Sequence, residues 1–212
     1  IGYLAAMTAA FALAVLDPAG SWRERLHLQR LNLHLRAKEL DKASEAAAKA
    51  LKELDDPQYL TSIGSMVLRQ EGMPKAAELA SEAARKALDK DPASVAARLL
   101  LVRALLKKGG PDDVLSECKK LVEASNDKPE ILNDTAWTIL TEGEYPAPLI
   151  ELARKAAERC NEITGGKNWM YLDTLALAKF KTGAKEEAVE LQRKAVALGE
   201  ETNAPETALK EA

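Results

Sequence analysis

The sequence predicts an all-α protein made of about five stacked helix pairs, with one further helix at its N-terminus. Three observations carry that expectation. Ala, Leu, Glu and Lys dominate the 212 residues, aromatics are only 4%, and β-branched residues are sparse; these are strong helix formers with little strand character. Apolar residues recur at spacings of three and four, the period of an amphipathic helix. One frame of small and apolar residues also recurs along the chain, which is the mark of a stacked-repeat architecture.

The frame is clearest from Trp169 to Leu198. A first helix carries Leu172, Leu175, Ala176 and Phe180, Gly183 marks a turn, and a second helix carries Ala188, Leu191, Ala195 and Leu198. With Trp169 as position 1, Ala176 is position 8, Gly183 is 15, Ala188 is 20 and Ala195 is 27. From Val95 the same frame places Leu101, Val102, Leu105, Gly109, Val114, Cys118 and Leu121. From Pro129 it places Leu132, Ala136, Ile139 and Gly143. From Gln58 it places Ser65 at position 8, with Leu68, Gly72, Ala77 and Ala84. From Glu24 it places Leu31, Ala43, Ala47 and Ala50, with Arg30 where Leu is usual.

This pattern resembles the tetratricopeptide repeat, in which small side chains at positions 8, 20 and 27 let paired helices approach closely. The resemblance implies a right-handed α-α superhelix with repeats at about 24–57, 58–94, 95–128, 129–168 and 169–199, preceded by an apolar helix and linker over 1–20 and followed by a polar tail over 201–212. Proline and glycine punctuation agrees with it: Asp55-Asp56-Pro57, Asp91-Pro92, Asp127-Lys128-Pro129 and Gly165-Gly166 fall between repeats, where they stop one helix and start the next. The last step is six residues longer than 34, which places an insertion in the Pro146–Pro148 turn and the Ile163–Asn168 loop. Glu45–Lys49, Glu82–Lys86, Glu151–Lys155 and Glu190–Lys194 are read as i,i+4 pairs on exposed faces.

Ile1–Leu16 is almost wholly apolar. It is shorter than the roughly 20 residues a bilayer span needs and has no basic flank, so it is read as a packed helix without membrane insertion. A net charge of −3 argues against a general nucleic-acid binder, which needs an excess of cations to release counterions.

No catalytic chemistry is expected and no cofactor is implied. Cys118 and Cys160 form no C-x-x-C motif and are read as small buried residues. His27 and His34 are seven apart, too far for the i,i+4 pair of a helical zinc site, so no metal is expected. No nucleophile–base pair or phosphate-cradling loop is present.

The resemblance to tetratricopeptide repeats also implies a concave groove lined by positions 5, 9, 12 and 13 of each first helix. These positions hold Leu28, Asn32, Leu35 and Arg36, then Ser62, Met66, Arg69 and Gln70. Leu99, Arg103, Leu106 and Lys107 follow, then Asn133, Trp137, Leu140 and Thr141, and finally Asp173, Leu177, Phe180 and Lys181. Arg36, Arg69, Arg103, Lys107 and Lys181 stand against Asp173 alone, a positive groove in a net negative protein. The expected function is therefore a protein-interaction scaffold binding a peptide or protein segment of acidic character, since arginine pairs with carboxylates bidentately. The Lys/Asn pattern of the carboxylate-clamp subfamily is absent, so binding of chaperone tails is not implied.

A second resemblance concerns Asn-Asp-Thr-Ala-Trp-Thr-Ile-Leu-Thr (Asn133 to Thr141), Ile-Thr-Gly-Gly-Lys-Asn (Ile163 to Asn168) and Tyr-Leu-Asp-Thr-Leu-Ala (Tyr171 to Ala176). It is similar to the repeat region that follows thioredoxin-like domains in bacterial redoxin proteins, and Ile1 to Trp22 is similar to the end of such a domain. This implies an alternative role as a structural or oligomerisation module accompanying a redox domain, with a homodimer formed through Ile1–Leu16. It also implies a soluble protein of the bacterial cytoplasm or periplasm.

Overall fold

The computed structural model describes residues 22–108, 111–141 and 144–202. The expected N-terminal helix over 1–20, the turn glycines Gly109, Gly110 and Gly143, and nearly all of the expected tail over 201–212 lie outside the described residues. Among the described residues there are ten helices and no strand. They are α1 (Trp22–Arg36), α2 (Leu40–Glu53), α3 (Pro57–Leu68), α4 (Ala76–Lys90), α5 (Val95–Lys108), α6 (Pro111–Ala124), α7 (Pro129–Thr141), α8 (Ala147–Thr164), α9 (Trp169–Lys181) and α10 (Lys185–Glu201). They form two compact units whose division falls between Ala104 and Leu105.

Local chemistry starts and stops these helices. The Asp56 carboxylate accepts from the backbone N–H of Gln58 (2.9 Å) and Tyr59 (3.0 Å), and Pro57 occupies the first helical position of α3. This capping satisfies donors that the first turn leaves free. The Asn168 side chain likewise accepts from Met170 N–H at 3.0 Å to begin α9. At the end of α8, Gly165 and Gly166 take φ of 62° and 64°. The Gly166 N–H then reaches back to the Asn161 carbonyl at 2.9 Å, closing the helix with left-handed residues that glycine adopts without a Cβ penalty. The insertion expected as loop is partly helix: α8 runs 18 residues, the longest of the ten.

Small residues line the helix contacts as the frame requires. Ala43, Ala47 and Ala50 in the first pair, Ala136 in the fourth, and Ala195 in the fifth are fully buried, with Ala176 and Ala188 nearly so. The second pair departs by one residue. Ser65, expected at the crossing, is only half-buried. The contact belongs to Gly64 instead, where an added Cβ would lie 2.5 Å from Leu100 Cδ2 and 3.0 Å from Ala83 Cβ. Phe180, in the apolar stripe of α9 and at an expected groove position, is 57% exposed.

Charge pairing also differs from the expected surface ladder. Lys86 does not run along its own helix to Glu82. Its ammonium donates to the carbonyls of Leu51 (2.8 Å) and Leu54 (2.6 Å) and lies 3.1 Å from the Asp55 carboxylate. It thereby closes the C-terminus of α2, where orphan carbonyls and the negative end of the helix dipole favour a cation. The Lys86 and Lys90 ammoniums hold the Asp55 carboxyl below the usual carboxylate range, the Lys86 hydrogen bond being the larger cause. Lys86→Met is expected to lower the unfolding free energy by about 2 kcal/mol, the scale of charged hydrogen bonds to groups left unpaired. A urea midpoint unchanged from wild type would contradict this. In the second unit Glu151 pairs with Arg154 rather than with Lys155, and Arg154 also bonds Glu158.

Both thiols are fully buried, as the sequence leads one to expect. Burial, helped by Glu117 beside Cys118 and Glu130 near Cys160, pushes each thiol up to about 12. The folded state thus holds them neutral. Their contribution is complete below about pH 9, the thiol's ordinary value, and is lost as pH rises from there toward 12. Each should steepen the fall in stability across that window by up to about 1.4 kcal/mol per pH unit. Comparing the alkaline stability slope of wild type with Cys118→Ala and Cys160→Ala measures this; equal slopes would contradict it.

Candidate binding clefts

Within the first unit, α1 and α3 present one open cleft of about 420 Å³. Its walls are Asn32, Leu35 and Arg36 of α1, Met66 of α3, and Arg69 and Gln70 just past the C-terminus of α3. These are positions 9, 12 and 13 of both repeat frames, residues one turn apart on the same face. Leu35 and Met66 are half-buried and supply apolar floor, while Arg36 and Arg69 are exposed. The Arg69 Nε donates to the Ser65 carbonyl at 3.1 Å, which steers its guanidinium along the α3 surface. Two guanidiniums and two side-chain amides over a thioether floor make a surface suited to carboxylates.

The second unit presents a cleft of different character, about 270 Å³. Trp137 of α7, Asp173, Ala176, Leu177 and Phe180 of α9, and Ala188, Val189 and Gln192 of α10 line it. Trp137 is 42% exposed, Phe180 57% and Val189 51%, so three large apolar side chains face solvent together. Asp173 is the one charged residue in this lining. Burial raises its carboxyl above the usual range, and a hydrogen bond from Gln192 Nε2 (2.8 Å) partly opposes that shift.

The remaining expected groove residues are distributed as follows. Arg103 is half-buried and Lys107 exposed on α5; both have interaction partners, and neither lines either cleft. Asn133 is half-buried one turn before Trp137, with its Oδ1 enclosed and unbonded. Lys181 is exposed at the end of α9, outside the lining. Leu106 and Leu140, assigned to the groove by position, are core residues at 5% and 1% exposure. They sit where the helix face turns inward, and burying a leucine there outweighs its nominal register. Val189 and Gln192 belong to the second helix of the pair, whereas the positional frame assigns the groove to first helices. The second helix contributes Val189, next to Ala188, and Gln192, one turn beyond it; the small side chain of Ala188 lets α10 close on α9.

The histidines do not converge. His27 Nε2 lies 3.1 Å from Glu53 Oε2, and His34 Nδ1 lies 2.7 Å from Glu39 Oε2. Among the described residues no group of three or more His, Cys, Asp or Glu side chains could hold a metal ion, and no helix is long and apolar enough to cross a membrane.

No family model matches the sequence, and no curated protein does. Solved structures do match in fold. One titled "Crystal structure of MamA protein" is 18% identical with a TM-score of 0.60, covering 86% of this chain and 95% of that one. Another, "Crystal structure of MamA", is 18% identical with a TM-score of 0.59, covering 82% of this chain and 97% of that one. At that identity the likeness speaks for architecture alone. With ten described helices, no strand among them, and near-complete coverage of these neighbours, the chain has the fold of a tetratricopeptide-like helical solenoid.

Proposed function

We propose that this chain is a protein-interaction scaffold that holds an acidic segment of a partner on the α1–α3 face of its first unit. The observation that carries the reading is the cleft where Arg36 and Arg69 stand with Asn32 and Gln70 over Met66. Arginine forks match carboxylates bidentately, and a cleft with low-dielectric walls strengthens the field they produce. The amides of Asn32 and Gln70 carry both donors and acceptors, which suits the backbone of an extended peptide. The helical-repeat fold also supports the reading, because stacked helix pairs offer long side-chain surfaces rather than one enclosed reaction site.

A random peptide library selected on the protein tests this. Enrichment of Asp- and Glu-rich sequences is expected. Arg36→Glu combined with Arg69→Glu should weaken the selected peptides by about a hundredfold, the scale of two charge-assisted contacts replaced by repulsion. Raising the salt should weaken the wild-type complex as well. Selected peptides without acidic bias, or affinities untouched by the double reversal, would overturn the proposal.

A further inference from the structure

The second unit's cleft differs from the first in charge as well as in composition. We infer that it receives a basic side chain, arginine or lysine, presented by a partner segment with apolar neighbours. The inference rests on the scaffold reading above but on a separate surface.

Charge complementarity and exposed apolar area carry it. Asp173 is half-buried, and no lysine or arginine stands among the eight residues lining this cleft. Its Oδ1 accepts a hydrogen bond from the neutral amide of Gln192 at 2.8 Å, which fixes the carboxylate without neutralising it. Around it Trp137, Phe180 and Val189 are each more than two-fifths exposed, with Leu177, Ala176 and Ala188 completing the walls. A long basic side chain matches both features. Its methylene stem lies against apolar surface while its charged head meets the carboxylate. The faces of Trp137 and Phe180 add the attraction that aromatic rings exert on a cation. An acidic side chain would meet Asp173 as a like charge with its hydration removed, and a purely apolar one would leave that carboxylate buried without compensation.

The test uses two fluorescein-labelled heptapeptides that differ only at the centre, Leu-Arg-Leu against Leu-Glu-Leu, titrated into the whole protein and followed by anisotropy. The arginine peptide is expected to bind at least about tenfold more tightly than its glutamate counterpart. Asp173→Asn, which keeps the side chain's shape, should remove that preference. Phe180→Ala, at an exposed position, should weaken the arginine peptide about tenfold with unchanged helicity. Arg36→Glu with Arg69→Glu should leave arginine-peptide binding intact. Equal binding of the two peptides, or an arginine preference that survives Asp173→Asn, would overturn the inference. If acidic library peptides bind through Arg36 and Arg69 while the arginine peptide does not bind, this inference fails and the scaffold reading stands. If the arginine peptide binds through Asp173 while no acidic peptide is selected, the acidic-segment proposal fails instead.

Discussion

Gly64→Val is expected to lower the unfolding free energy by about 3 kcal/mol, the upper part of the range for overpacking a tight core. Gly64 is buried in α3, and a Cβ there would come within 2.5 Å of Leu100 Cδ2, 3.0 Å of Ala83 Cβ and 3.5 Å of the Ala80 Cα. Ala80 and Ala83 are themselves fully buried, and Leu100 is 4% exposed, so neither α4 nor α5 has open space into which to retreat. Valine adds two further methyls at the same crossing. Gly64→Ala is the internal control. It regains about 1 kcal/mol of helix propensity against a smaller clash, so its loss should be well under that of valine. Urea unfolding followed by circular dichroism measures both. A valine variant within 0.5 kcal/mol of wild type would mean that α3, α4 and α5 do not meet as closely as described.

Leu132→Ala is expected to cost about 3 kcal/mol in the second unit. Leu132 is fully buried on α7, and truncation removes its transfer energy and leaves a cavity that close-packed neighbours fill only in part. Lys155→Ala, an exposed change on α8, should stay within about half a kcal/mol. Equal effects of the two substitutions would mean that α7 is not packed through this face.

Much of this architecture was legible because close helix packing leaves a strong trace in sequence. Ala43, Ala136, Ala176, Ala188 and Ala195 are small where paired helices meet, and Asp56-Pro57 and Gly165-Gly166 punctuate the chain at helix ends. The one-residue slip at Gly64 arose because Ser65 is also small; composition does not distinguish two adjacent small residues, and only the facing helices decide between them. Lys86 was misassigned for a related reason. Its i,i+4 partner Glu82 is visible along the sequence, whereas the carbonyls of Leu51 and Leu54 lie more than thirty residues away.

The clefts were less legible than the fold. Asn32, Arg36, Met66 and Arg69 come together as their helical positions imply, and so do Trp137, Asp173 and Leu177. Position alone did not reveal that Leu106 and Leu140 turn inward or that α10 closes one wall with Val189 and Gln192. It also summed all groove charges into one positive surface. The described clefts differ instead: Arg36 and Arg69 stand in the first, and Asp173 is the charged residue of the second. Exposed charges more than about 10 Å apart are screened in ordinary salt, so the character of each cleft is set by the charges that line it.

The proposed partner recognition uses the cleft face of α1 and α3. A library-selected acidic peptide carrying a photo-crosslinking residue, followed by mass spectrometry of the adducts, tests it most directly. Adducts concentrated on Asn32–Arg36 and Met66–Gln70 are the predicted result. Adducts concentrated on the exposed faces of α2 and α4, at residues such as Glu45, Lys52 and Glu82, would contradict it.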